Sequence, residues 1–175
     1  MLNYNFDDNL YYSIVKKSDI HVSKISNRIE TDQARVVLKD MLNHFNIDLD
    51  EIIIDDKGKP YFKNSNIHFN YSHSKNYIAC VISNYEVGID IEEKSRIISD
   101  DISNKYLNGV EDYNDRLIQW IKKESYSKLK GLGLQIGFNN LKFDSNCKNL
   151  LTSEDEYICS IFCNCDNIEF NNLKI

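Results

Sequence analysis

The sequence has one proline and only six glycines in 175 residues. It also lacks an apolar run near the ~18 residues that a membrane span needs. The scarcity of glycine and proline excludes a fibrous repeat or a flexible linker, so no stretch divides the chain. The missing apolar run excludes a spanning helix. No basic-then-apolar signal opens the sequence, and the expectation is a cytoplasmic protein that does not enter a membrane. Paired cysteine motifs are absent as well. The five cysteines are odd in number, and Cys159-x-x-x-Cys163-x-Cys165 has neither the spacing nor the histidines of a zinc site. Positions 159, 161, 163 and 165 fall on one face of a strand, so buried free thiols are expected. An excess of basic charge is lacking too: 21 Lys and Arg face 27 Asp and Glu, for a net charge of −6. A general nucleic-acid binder needs a basic surface, so no nucleic-acid partner is expected. An acidic protein that handles a polyanion must neutralise it locally, with a metal ion and a few placed bases.

What is present points to one globular α/β unit. Eleven Tyr and eight Phe argue for a packed core. Residues 2–15 suggest one or two strands. A helix is signalled from Thr31, capped by Thr31 or Ser26, with Ala34, Val37, Leu38, Met41, Leu42 and Phe45 as its apolar stripe. Arg35 and Lys39 fall off that stripe and, by position alone, are solvated. Asp55 to Tyr61 is a turn followed by an extended piece that Pro60 stiffens. Strands follow at 67–71, 77–83 and 87–92, the last two pairing most simply as a hairpin. A long helix or a helix pair is expected around Glu111 to Lys130, stopped by Gly131-Leu132-Gly133. Beyond it, 134–144, 148–152 and 156–165 read as strands. The strand–helix–strand order occurs twice, which suggests two α/β halves, 1–86 and 87–175.

Two stretches carry chemistry. In Val87-Gly88-Ile89-Asp90-Ile91-Glu92, apolar residues alternate with Gly88, Asp90 and Glu92, the pattern of a half-buried strand. Asp90 and Glu92 then sit about 7 Å apart on one face. Gly88, on that face, leaves room for a ligand against the backbone. Carboxylates this close repel unless a cation or a proton lies between them. In the second stretch, Trp120, Glu124 and Lys128 recur at i, i+4 and i+8 along a helix. If that helix packs over the strand, three carboxylates converge on one hard divalent cation with Lys128 beside them. The plain alternatives are an acidic edge strand and a surface Glu124–Lys128 pair worth ~0.3–0.5 kcal/mol.

Gly88-Ile89-Asp90-Ile91-Glu92, then Trp120-Ile121-Lys122-Lys123-Glu124-Ser125…Lys128 and Gly131-Leu132-Gly133-Leu134, resemble the paired signature of phosphopantetheinyl transferases. The likeness is to the single-chain type that activates peptide and polyketide synthases. Gly58-Lys59-Pro60 and Asn70-Tyr71-Ser72-His73-Ser74 match further segments of that family in order, and Asp32-Gln33-Ala34-Arg35 with Leu38 resembles its first long helix. The resemblance implies two pseudo-symmetric α/β halves with the active site in the cleft between them. It implies a holo-[acyl-carrier-protein] synthase reaction. The phosphopantetheine arm of coenzyme A passes to a serine of an acidic apo acyl- or peptidyl-carrier protein, and adenosine 3',5'-bisphosphate leaves.

By that resemblance Asp90, Glu92 and Glu124 hold Mg²⁺, with Mn²⁺ as the other octahedral choice. Lys128 contacts the same phosphates, and Ser72, His73, Arg35, Lys59 and Pro60 hold the rest of the cofactor. Asp90, Glu124 and Lys128 form the catalytic set, with Glu124 as first candidate to accept the serine proton and Glu111 as a weaker one. Before Thr31 there is no run of bases for the terminal phosphate; Lys24, Arg28 and His21 are the candidates. An internally duplicated plan suggests a monomer. Two other classes fit parts of the sequence. One is a different Mg²⁺-dependent phosphoryl-transfer or hydrolysis enzyme. The other is a non-catalytic relative that docks an acidic partner through Lys122, Lys123 and Lys130.

Overall fold

The structure, a computed structural model, describes residues 3–22, 28–133 and 138–175. Nine strands and three α-helices are described. They are β1 (Asn9–Lys16), α1 (Ile29–His44), β2 (Ile52–Ile54), β3 (Pro60–Phe62), β4 (His68–His73), β5 (Tyr77–Ser83) and β6 (Val87–Glu93). There follow α2 (Asp100–Tyr106), α3 (Tyr113–Lys130), β7 (Lys148–Ser153), β8 (Tyr157–Cys163) and β9 (Glu169–Asn172). The chain is thus mixed α/β.

The strands build a four-stranded sheet in the order β4-β5-β1-β9, a three-stranded sheet β6-β8-β7, and the β2–β3 hairpin. Every residue of β5 is buried, because both of its faces are covered. Ile78, Cys80 and Ile82 pack beneath α1 with Ala34, Val37, Leu38, Met41 and Leu42. Tyr77, Ala79 and Val81 point the other way and meet Val87, Ile89, Ile91, Cys159, Ile161 and Cys163 of the second sheet. Helix α3 covers the far side of that second sheet, with Tyr126 and Leu129 against Phe162. The layers therefore run helix, sheet, sheet, helix. The cysteines are free, and Cys159 and Cys163 lie in the core between the sheets.

Four local expectations need correction. First, β5 and β6 do not pair as a hairpin: β6 pairs antiparallel with β8, Asp90 opposite Ser160. Both edges of β5 are already taken, by β1 and β4. The chain therefore crosses at Asn84–Glu86 into the second sheet. Second, α1 begins at Ile29, two residues before Thr31, with Arg28 at the N-cap and no side-chain cap; Ser26 lies outside the described residues. Third, of the strand expected over 134–144, residues 134–137 lie outside the described residues and no strand forms over 138–144. Phe138–Asn140 is instead a single 3-10 turn whose buried ring fills a space beside Tyr106 and Trp120. Fourth, the space beside Gly88 is filled by protein backbone. A methyl group there would lie 2.1 Å from the Ser125 carbonyl oxygen and 2.3 Å from the Leu129 nitrogen. The missing side chain admits the backbone of α3.

One strand crosses between the two parts of the chain. β9 adds to the first sheet by pairing in parallel with β1, Asn9 opposite Glu169.

Candidate active site

The close approach at Gly88 sets the site. With β6 alternating, Val87, Ile89 and Ile91 enter the core between the sheets, and Gly88, Asp90 and Glu92 are left on the side facing α3. Helix α3 is held at both ends. Asp112 caps its first turn through the Asp115 amide, and Gly131 ends it in the left-handed conformation. In its middle, the Ser125 hydroxyl meets that of Ser160 on β8 at 2.8 Å, which ties the helix to the sheet. Trp120 is buried among aromatic rings, so Glu124 and Lys128, one and two turns on, face the cleft.

Asp90 is the centre of the arrangement. Lys128 Nζ donates to its Oδ1 at 2.7 Å and to the Ser72 hydroxyl oxygen at 2.8 Å, and Ser72 donates to the same Oδ1 at 2.8 Å. Strand, helix and the end of β4 thus meet at one oxygen atom. Asn70, on β4, accepts a hydrogen bond from the Ile89 amide and so holds β4 alongside β6. The other carboxylate oxygen, Asp90 Oδ2, is buried without a hydrogen-bond partner; among the described residues it is the only such side-chain atom. A buried carboxylate oxygen left unpartnered is costly unless a cation or donor completes it.

Glu124 lies in the same field. Burial and the nearby Asp90 charge push its carboxyl up to about 7 from the usual 4.5, against the pull of Lys128 and Arg96. Glu92 pairs with Arg96. Among the described residues no three acidic, histidine or cysteine side chains are drawn close enough together to hold a metal ion as they stand. The donor set nonetheless suits a hard cation, being carboxylate oxygens with one of them unpartnered.

A cleft of about 440 Å³ opens beside these groups. Its walls include Lys57, Lys59, Pro60, Tyr71, Glu124 and Lys128. Lys59 donates from Nζ to the Leu129 carbonyl at the end of α3, 2.8 Å away, and burial holds its amine below the usual value. Asp55 fixes the turn before it by accepting from the Lys57 and Lys59 amides.

The other expected site residues are placed less centrally. His73 ends β4 and is exposed; its pKa is held down by partial burial and by the Lys17 and Lys128 charges. Arg35 is exposed on α1, outside the cleft lining, and Glu111 is exposed ahead of α3. Of the bases before Thr31, His21 and Arg28 are exposed and Lys24 lies outside the described residues, as does Leu134. Lys123 does not offer a docking charge. Its amine is buried and donates to the carbonyls of Tyr106, Phe138 and Asn139 at 2.9, 2.9 and 3.2 Å. Two contributors went unnoticed in the sequence. The Asn70 side chain takes the place of a ladder partner for β6, and Arg96 is discussed below.

Comparison with known proteins finds similar sequences. A 4'-phosphopantetheinyl transferase named gsp, from Aneurinibacillus migulanus, is 34% identical over 123 residues, which cover 63% of this chain and 52% of the relative. The 4'-phosphopantetheinyl transferase Sfp of Bacillus subtilis (strain 168) is 34% identical over 92 residues, covering 45% of this chain and 40% of the relative. The chain is similar in sequence to phosphopantetheinyl transferases of the gsp and Sfp type. A further one, psf-1 of Bacillus pumilus, is 30% identical over 107 residues, 53% of this chain and 45% of the relative. The chain spans about half the length of the phosphopantetheinyl transferases it matches. No protein-family model matches it. Among the described residues, no helix is long and apolar enough to cross a membrane.

Proposed function

We propose that the protein transfers the phosphopantetheine arm of coenzyme A to a serine of an apo acyl- or peptidyl-carrier protein, releasing adenosine 3',5'-bisphosphate. The observation that carries this reading is the meeting of Asp90 from β6 with Lys128 from α3 at 2.7 Å, Glu124 lying one turn before Lys128 on the wall of the same cleft. Sequence likeness to named 4'-phosphopantetheinyl transferases supports it independently. Residues 57–60 and 70–71 form one wall of the cleft and residues 124–133 the other. This favours an active site between two halves, 1–86 and 87–175. It also favours a complete site in one chain, hence a monomer. The relatives' names favour the gsp and Sfp class; the reaction is that of a holo-[acyl-carrier-protein] synthase in the sense that it converts an apo carrier to its holo form.

Asp90, Glu92 and Glu124 are the residues to hold Mg²⁺ or Mn²⁺, and Asp90 Oδ2 is an oxygen ready to do so. Such an ion, when bound, offsets negative charge on a diphosphate and on the phosphate that leaves. Lys128 has its ammonium at the mouth of the site and adds a second cation toward the same phosphates. Ser72 holds that ammonium in place. Lys59 and Pro60 on the cleft wall, with His73 and Arg35 further out, complete the set proposed for the cofactor. Glu124 is the residue proposed to accept the proton of the carrier's serine, since it lies on the cleft wall one turn before Lys128. The free cysteines suit a reducing compartment and a cytoplasmic setting.

A binding module docking through Lys122, Lys123 and Lys130 is not favoured, since Lys123 is buried. The deciding experiment is intact-mass analysis of purified apo carriers after incubation with the protein, coenzyme A and Mg²⁺. Addition of one phosphopantetheine per carrier is expected. Release of cofactor fragments without carrier modification assigns the site to hydrolysis instead.

A further inference from the structure

Glu92 is the one member of the acidic trio already paired to a side chain unlike those around Asp90. Its partner is Arg96, in the turn after β6, whose amide donates to the Glu93 carbonyl at 2.9 Å. The Glu92 side chain is 13% exposed and that of Arg96 38% exposed, so the acid is sheltered and the base lies over it. The Arg96 guanidinium also sits over the Trp120 ring, 5.5 Å from its centroid. Its charge reaches the cleft as well, pulling against the upward shift of Glu124. Two side-chain cations thus serve three carboxylates: Lys128 on Asp90, and Arg96 on Glu92.

We propose that Arg96 is a positioning residue that occupies Glu92 in place of the divalent ion and must swing off it before the ion binds. This rests on the reading of Asp90, Glu92 and Glu124 as ion ligands. One guanidinium nitrogen of Arg96 pairs with Glu92 Oε1, and that positive charge competes with a divalent ion for the same carboxylate. The exchange is feasible because a partly exposed ion pair is weak, and the guanidinium already rests on the indole face, which keeps a contact for it when Glu92 is given up. The device keeps Glu92 from being left unpaired in the ion-free protein, at the cost of weaker binding of the ion.

Trp120 is the only tryptophan in the chain, so its fluorescence reports on Arg96 directly. The test is titration of the whole protein with Mg²⁺ followed by Trp120 emission, alongside Mn²⁺ binding measured by electron paramagnetic resonance, for the native chain and for Arg96→Gln. The native chain is expected to shift its emission as Mg²⁺ binds. Arg96→Gln is expected to bind Mn²⁺ about 3- to 10-fold more tightly, through loss of a competing cation, and to lack that emission change. Equal Mn²⁺ affinity of the two proteins, with identical emission titrations, overturns the role of Arg96 and leaves the ion site intact. Absence of binding by both overturns the ion site and this inference together. Should Arg96→Gln not fold, the native Mg²⁺ titration decides by itself: binding without an emission change refutes the swing.

Discussion

Replacing Gly88 with alanine tests the geometry from which the rest of the site follows. The added methyl group lies 2.1 Å from the Ser125 carbonyl oxygen, 2.3 Å from the Leu129 nitrogen and 2.9 Å from the Leu129 Cα. All three are backbone atoms of α3, so no side chain can turn aside to make room. Ordinary contact begins near 3.4 Å, which leaves a shortfall of about 1.3 Å that the helix must supply by withdrawing. Overpacking of this kind costs typically about 1–3 kcal/mol, and the upper end is expected because the obstacle is backbone on both sides. The functional cost is steeper. Lys128 Nζ stands 2.7 Å from Asp90 Oδ1; a withdrawal of roughly 1 Å takes that pair beyond hydrogen-bonding distance and moves Glu124 with it. A misplacement of about 1 Å can lower a rate on the order of 100-fold. Urea denaturation should therefore show Gly88→Ala less stable by about 3 kcal/mol, and carrier modification followed by mass spectrometry should show a fall of about 100-fold. A variant with the native urea midpoint and native transfer rate would falsify the claim that the strand and helix backbones are in contact here.

The remaining predictions concern single groups. Asp90→Ala, Glu92→Ala and Glu124→Ala are each expected to abolish transfer while keeping the far-ultraviolet circular dichroism spectrum; a triple-alanine protein that still modifies its carrier ends the mechanism. Glu124→Gln should also alter stability with pH. The folded-state pKa of Glu124 is about 7 against 4.5 ordinarily, so the folded form holds this proton more tightly and stability falls as pH rises between those values. At pH 8, without divalent ion, Glu124→Gln is thus expected to be more stable than the native chain by about 3 kcal/mol, and near pH 4 the two should coincide. Parallel stability curves across that range refute the shift. Lys123→Met removes a donor to three carbonyls and should destabilise by about 2–4 kcal/mol. Loss of carrier modification from this variant at full stability points instead to a docking role for Lys123.

The chain's own pattern displayed a good part of this site, and the reason is periodicity. Alternation over 87–92 decides which side chains share a face of β6, and spacing of four decides which share a side of α3. Both patterns are local, and the structure places Asp90, Glu124 and Lys128 accordingly. Periodicity does not say which strand lies alongside. That is why β6 was expected to pair with its neighbour β5 rather than with β8. Gly88 was legible as a close approach, but a missing side chain does not reveal what comes close. Lys122-Lys123 looks like a solvated pair; only the fold shows that Lys123 is drawn inward to carbonyls at the end of α2 and in the 3-10 turn. Arg96 carried no signal, since its link to Glu92 runs through a turn and its link to Trp120 spans 24 positions.

Charge explains why an acidic site of this kind can fold before anything binds it. Asp90 and Glu124 are near enough for the charge of one to raise the pKa of the other, and Glu92 follows Asp90 on the same strand, so negative charge accumulates here where water is reduced. In this protein each is relieved by a different means. Asp90 receives Lys128 and the Ser72 hydroxyl; Glu92 receives Arg96; Glu124, with no close cation of its own, retains a proton up to about pH 7. The relief is incomplete at one atom, Asp90 Oδ2, which is buried and unpartnered. A divalent ion, were it held there, would be taken by Asp90 Oδ2 and would compete with the Glu124 proton and the Arg96 guanidinium for the other two carboxylates. The stabilisation that the ion gives should accordingly be greatest at high pH, where Glu124 has already lost its proton and the ion-free site is least comfortable. A Mg²⁺-induced rise in the urea midpoint that is larger at pH 6 than at pH 8 contradicts this account of the site's charge.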